Sequence, residues 1–419
     1  MNQLSKVTAS LLVSLPMVTL LNTASADANN INFLTISDIH LNTKQRHAMQ
    51  IDPSSYDAHN DMDLVTFKQL AGLIKKNTGP DHLIPTPQFI LYLGDIVGHQ
   101  SSFSKLFQNR EKFVTTNQKE VLSQLQQTFP NTPIINVFGN NDSLQANYGD
   151  YTYQNKSPYS VALTTGFKNG FLSSGTRCNT QTTQATMPCL ATQNTEYGFF
   201  SIKITPELTL LGLNSVMFSP EHKPNPHALN SQLQFIKNQL ATAQKNNVGI
   251  LIAMHIPAGH NVYDSSAFWQ DKDQQQFLNT IAPYHHQIRG ILVGHTHMEE
   301  FKIIQTAGKA YGEYFTAGLS TSHGNSPSLK LYTLTKSKNN WAISDYTTYQ
   351  VHKKNNTLEL SKYYNFANVY CKNLAFNADI NNCLSHITFN MITPRYTVNN
   401  PNYLNYQTKS PEAFYVPSL

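Results

Sequence analysis

No basic run longer than a pair occurs in these 419 residues: the only adjacent lysines are Lys75-Lys76 and Lys353-Lys354, although the net charge is +5. A nucleic-acid groove concentrates Lys and Arg on one surface, so this scattered excess describes a solvated surface, and no such groove is evident. Long apolar runs are equally scarce, and nothing beyond the N-terminus resembles a membrane-spanning helix. Cysteine is sparse, and Cys178, Cys189, Cys371 and Cys383 lack the C-x-x-C spacing of thiolate zinc sites. Their placement points to two local bridges, Cys178 with Cys189 and Cys371 with Cys383, in an oxidising compartment, with the other two connectivities left open. There is no internal repeat.

The N-terminus has a distinct pattern. Lys6 precedes an apolar run from Val7 to Leu21, interrupted by Ser14 and Pro16, and Ala24-Ser25-Ala26 follows. A positive start, a short apolar core and an A-x-A end form a secretory signal peptide, so export is expected, with cleavage near Ala26 and a secreted or periplasmic product. An uncleaved anchor is the alternative.

Hydrophobic residues at 40% and aromatics at 11% supply a sizeable core. Ile31 to Ser37 is an apolar segment that stops abruptly at Asp38. The same form recurs at Gln88 to Leu93 before Gly94-Asp95, at Pro133 to Phe138 before Gly139-Asn140, at Gly249 to Met254 before His255, and at Ile288 to Val293 before Gly294-His295. Helical periods lie between them, at Leu64, Phe67, Ala71 and Ile74 and at Leu229, Leu233, Ile236 and Leu240, with Phe103 to Phe129 a longer polar candidate. Strands alternating with helices indicate an α/β sheet whose ligands gather beyond the carboxyl ends of the strands. Phe199 to Ile204, Leu208 to Asn214, Gly312 to Thr316 and Leu329 to Leu334 are further strand candidates, which makes two packed sheets plausible. Ser173 to Asn194 reads as an inserted surface loop. After Tyr349 the pattern fades, although Leu358 to Tyr370 has the form of a helix, and the segment after Pro394 resembles a tail. The expected organisation is a signal peptide over 1–26, a catalytic domain over 27–349, and an extension over 350–419 that packs on it.

Each of the five abrupt strand ends carries a polar motif: Asp38-Ile39-His40, Gly94-Asp95 with His99 four residues on, Gly139-Asn140-Asn141-Asp142, His255-Ile256-Pro257 and Gly294-His295-Thr296-His297. Mixed carboxylate, amide and imidazole groups suit Zn, Mn or Fe better than an oxygen-only cation. Two divalent ions roughly 3.5 to 4 Å apart can hold a hydroxide and stabilise both oxygens of an in-line displacement, with one carboxylate bridging the pair. Residues two apart on an extended strand end point the same way, so Asp38 with His40, and His295 with His297, can converge. Any single motif is weak, since a lone His such as His255 is more often structural, but five at strand ends are hard to explain by packing. His260, His285, His286 and His323 hold no motif position.

In this order the motifs resemble the calcineurin-like metallophosphoesterases, whose signature runs D-x-H, GD, GN-H-D/E, H, GHTH. The segments GDIVGH (94–99), HIPAG (255–259), GHTHMEEF (294–301) and NSPSLKLYTL (325–334) narrow the likeness to the acid-sphingomyelinase-like branch. The resemblance covers Ile31 to Tyr349 and implies a four-layer αββα sandwich. Carried over by position, it implies one metal on Asp38, His40, Asp95 and His297 and another on Asp95, Asn140, His255 and His295, with Asp95 the bridge and zinc the favoured ion. Where the family reads Gly-Asn-His this chain reads Gly139-Asn140-Asn141. Asn141 can donate a hydrogen bond to substrate but is no general acid, so His99, which the branch also carries, is the expected proton donor. Asp142 becomes a structural cap.

The resemblance implies an exported dinuclear phosphoesterase cleaving phosphodiester or phosphoanhydride bonds. Loss of the usual His favours leaving groups that need little protonation, as in nucleotides or polyphosphate, and the endopolyphosphatases resemble this chain in their Asn-Asn-Asp motif. Sphingomyelin is the second reading, weakened because Asp27 to Asn30 leave no room before the first strand for a saposin domain. A metal-dependent protein that binds phosphorylated ligands without catalysis is the third.

Overall fold

Apolar residues at alternate positions give the central strands two working faces. In β1 (Asn30–Ile36), Phe33 joins one core while Leu34 and Ile36 join another. The next strand, β2 (Phe89–Tyr92), divides in the same way, Phe89 and Leu91 against Ile90 and Tyr92. Strands buried on both faces belong between two other layers.

The computed structural model describes residues 29–45, 48–49, 51, 61–101, 105, 108–179, 187–262, 264–306, 309–322, 325–338, 340–355, 357–372, 378–388 and 413–416. The expected signal peptide, His323 and most of the tail after Pro394 lie outside them. The remaining strands are β3 (Ile134–Asn136), β4 (Cys189–Asn194), β5 (Phe199–Thr205), β6 (Leu208–Gly212), β7 (Gly249–Ala253), β8 (Ile288–Val293), β9 (Phe301–Thr306), β10 (Lys309–Phe315), β11 (Ser328–Ser337), β12 (Asn340–Lys354), β13 (Thr357–Asn365) and β14 (Tyr415–Val416).

One sheet runs β13-β12-β11-β1-β2-β3 and the other β14-β9-β10-β8-β7-β6-β5-β4. The strands that carry motifs are parallel within each sheet, β1 to β2 to β3 and β7 to β8, so their carboxyl ends share one edge. The helices Leu64–Asn77 and Arg110–Thr128 place Phe67, Leu70, Ile74, Phe113 and Val121 in the core with Leu34 and Ile90. Against the second sheet, Pro226–Asn246 and Asp271–Ile281 supply Ile236, Leu240, Phe277 and Ile281. The layers are therefore helix, sheet, sheet, helix, the αββα sandwich that the family resemblance implied. Both local bridges are present, Cys178–Cys189 and Cys371–Cys383. No described helix is long and apolar enough to cross a membrane.

Of the helix expected over Phe103 to Phe129, Arg110–Thr128 is described, capped by Asn109, whose side chain accepts from Lys112 N, while Phe103 lies outside the described residues. Two local readings change. Leu358 to Tyr370 is not a helix: β13 occupies 357–365 and a π-helical turn follows over 367–371. Its neighbour β12 offers a free antiparallel edge, and that pairing overrides the weak helical pattern. The loop proposed over 173–194 ends in an edge strand, since Cys189–Asn194 pairs with β5.

Candidate metal centre

Three of the five strand ends turn sharply, and the turning residues are the polar ones. Asp38, His40, Asp95, His295 and His297 all have positive φ, between 49° and 75°. Non-glycine residues rarely adopt this conformation, and such strain gathers where the surrounding structure fixes a functional geometry. The loops are laced together by main chain: His40 N donates to Asp95 O at 3.1 Å, and His295 N donates to Asp38 Oδ2 at 3.0 Å. Gly139 is required here, because a Cβ would stand 2.2 Å from Asp95 N. Asp142 accepts from Asp95 N, Ile96 N and Gly139 N, so it caps two loops at once, as its position implied. Burial, with Asp95 adding to it, pushes the Asp142 carboxyl up to about 7.

Inside this frame the side chains converge. Asp38, His40 and His297 have ligand atoms within 4.8 Å of one another, as do Asp38, Asp95 and His255. Asp95 Oδ2 lies 3.3 Å from His40 Nε2 and 3.3 Å from His255 Nε2, which joins the two groups. His297 Nε2 sits 3.4 Å from Asp38 Oδ1 and 3.1 Å from His40 Nε2. Asn140 Oδ1 is 3.0 Å from His255 Nε2. His255 Nδ1 donates to Leu93 O at 2.8 Å, and this second-nitrogen bond holds Nε2 toward the cluster. The half-buried His295 packs edge-on to His255 at 5.2 Å between ring centroids, with Tyr148 and Phe268 beside it.

The electrostatics favour positive charge at the centre. Burial opposes ionising Asp38, but His297, His255 and His40 outweigh it and hold the carboxyl near 2. Burial would also make His40 and His255 neutral, yet Asp38 and Asp95 lift them to about 10 and about 9. Asp38 Oδ1 and His40 Nδ1 are buried without a hydrogen-bond partner. Two imidazole nitrogens face to face beside an orphaned carboxylate oxygen fit a cation better than they fit one another.

His99 and Asn141 take different places. The side chain of His99 is 37% exposed, its ring stacks on His40 at 5.0 Å, and its Nδ1 donates to Asp61 Oδ1 at 2.9 Å. Asp61 also accepts from His99 N at 2.7 Å. Asn141 is turned onto the central carboxylate: its N donates to Asp95 Oδ1 at 2.8 Å and its Nδ2 donates to Asp95 Oδ2 at 3.0 Å. Sequence reasoning missed Asp61 and the half-buried Arg110, which donates to Ser143 O and Asn141 O. Gly98 held a signal for Asp61, since a Cβ there would meet Asp61 Oδ2 at 2.5 Å. His99 and Asp61 form a third ligand group with His40, whereas among the described residues the expected ligand His295, like His260, His285 and His286, joins none.

The model of the calcineurin-like phosphoesterase family matches residues 31–299. Sphingomyelinase phosphodiesterase D of Dictyostelium discoideum is 23% identical over 299 residues, 68% of this chain and 61% of that protein. Sphingomyelin phosphodiesterase of Bos taurus is 26% identical over 161 residues, 36% of this chain and 24% of that protein. The chain thus spans less than two thirds of the length of either relative. A dimetal phosphatase from Danio rerio aligns with a TM-score of 0.44 and 13% identity, over 80% of this chain and 99% of that one.

Proposed function

The chain belongs to the calcineurin-like phosphoesterase family, and from that premise we propose that it is an exported dinuclear-metal enzyme that hydrolyses phosphodiester or phosphoanhydride bonds. The observation that carries this reading is the place of Asp95, whose Oδ2 is equally close to His40 and His255 and so suits a carboxylate shared by two ions. Asp38, His40, Asp95 and His297 would hold one ion, and Asp95, Asn140, His255 and His295 the other. Two imidazole nitrogens and two oxygens for each ion suit zinc, with Mn or Fe as alternatives. When bound, the ions supply Lewis acidity toward phosphoryl oxygens and an activated water.

The chain's own residues account for the rest. Asn141 holds both oxygens of Asp95 and fixes its orientation. His99, locked by Asp61 through Nδ1, keeps Nε2 as the nitrogen that carries a proton to the leaving oxygen. Its half-exposed side chain lets it regain that proton from water.

Elemental analysis beside assays on bis(p-nitrophenyl) phosphate, nucleotides and polyphosphate tests the reading. Two equivalents of metal in active protein are expected, and full activity with one would sink the dinuclear mechanism. A second reading, hydrolysis of sphingomyelin, draws on the curated relatives. Release of choline phosphate from sphingomyelin liposomes faster than from the other substrates would establish it instead.

A further inference from the structure

A cavity of about 320 Å³ opens beside the metal centre and is lined in part by His99 and Asn141. Among the described residues its lining contains no carboxylate, but it does contain Lys105 and Arg110. Three amides in the lining already have their oxygens engaged. Asn109 Oδ1 accepts from Lys112 N at 2.9 Å, Gln145 Oε1 accepts from Asp150 N at 3.1 Å, and Asn147 Oδ1 accepts from Asn140 Nδ2 at 2.8 Å. With those oxygens committed, the amides have N–H groups left to offer. Donors and cations without an opposing carboxylate make a lining that solvates an anion.

We propose that this cavity seats a second phosphate group, so that the substrate is a phosphoanhydride in which one phosphorus is attacked at the metal centre and its neighbour rests among Lys105, Arg110 and the three amides. The inference rests on the phosphoesterase reading above and names the substrate class of that site. In the reaction, the oxygen of water forms a bond to the attacked phosphorus while the bond from that phosphorus to the bridging oxygen breaks. The electron pair leaves on the bridging oxygen with the seated phosphate, that oxygen takes the proton His99 carries, the protons of water pass to solvent, and His99 regains its proton from solvent. Donors around the seated phosphate spread the leaving charge, which offsets the lack of a His at position 141. A choline headgroup is a cation and gains nothing from such a lining.

The test uses the metal-loaded full chain and compares kcat/KM for tripolyphosphate and ADP with that for bis(p-nitrophenyl) phosphate, which has no second phosphate. In Lys105→Glu the anhydride-to-diester ratio should fall about tenfold or more, as expected for losing a charge-assisted contact and adding repulsion. Lys105→Arg should restore it, and Gln145→Leu should lower it less. Preference for tripolyphosphate would identify an inorganic chain as the source, and preference for ADP a nucleotide. An unchanged ratio in Lys105→Glu, or hydrolysis of the diester without any anhydride, overturns the seat and leaves the phosphoesterase reading standing. Metal-bound protein inert on all three substrates overturns both.

Discussion

His255 and His99 flank the same carboxylate-rich centre and are fixed in the same manner, Nδ1 donating to Leu93 O at 2.8 Å in one and to Asp61 Oδ1 at 2.9 Å in the other. They differ in access to water, since the side chain of His255 is fully buried and that of His99 is 37% exposed. Around His255 the protein has removed water, so carboxylates and imidazoles act on one another with little screening and the group seeks positive charge. Around His99 water remains, so its ring can exchange a proton with solvent and still be aimed by Asp61. One residue type, locked once in each place, thus suits holding a metal on the buried side and moving a proton on the open side.

The largest test of this contrast is removal of the shared carboxylate. Asp95→Ala should lose metal by elemental analysis and lower kcat/KM roughly 10³-fold or more, given the several kcal/mol that metal ions supply to such transition states. Retained metal with near-normal turnover would dissolve the distinction between the two walls.

A smaller and selective effect is expected on the open wall. His99→Ala should keep its metal and lower kcat about 10²-fold on esters with poor leaving groups, with little change on p-nitrophenyl esters, because proton donation is worth that order only where the leaving oxygen needs it. Asp61→Asn should weaken the same step about tenfold, again on poor leaving groups alone. Equal losses on good and poor leaving groups would assign His99 a positioning role alone.

The smallest expected effect is on stability in metal-stripped protein. His40 and His255 are lifted from 6.5 to about 10 and about 9 in the fold, so their contribution is fully present below about 6.5 and lost as pH rises through those higher values. Asp38, held near 2, contributes above about 4 and loses that contribution as pH falls through its folded value. Calorimetry should show Tm of the stripped protein falling between pH 7 and pH 10, and a shallower fall in the metal-loaded protein, where the ions replace the protons. Identical profiles would mean that the imidazoles and the metals do not compete for the same place.

The buried wall was the more legible one. Asp38, His40, Asp95, Asn140, His255 and His297, with the half-buried His295 at their margin, stand beside the apolar strands that carry them, and a strand that stops at a polar residue marks a sheet edge in any sequence of this class. Asp61 gave no such cue. It lies far along the chain from His99, two residues before the helix cap Asp63, and only folding brings its carboxylate onto the ring. Asn141 was legible as a departure from the family motif, but its grip on Asp95 depends on the turn after β3.

The sequence by itself determined the alternation of strands and helices, the order of the motifs and the chemical character of the ligands, because these are local properties of neighbouring residues. Only the tertiary structure decided which side chains share an ion-sized space, which of two histidines meets water, and that Leu358 to Tyr370 begins as a strand on the edge of β12. Burial, the approach of charges and sheet pairing are relations between distant segments, and no local pattern records them.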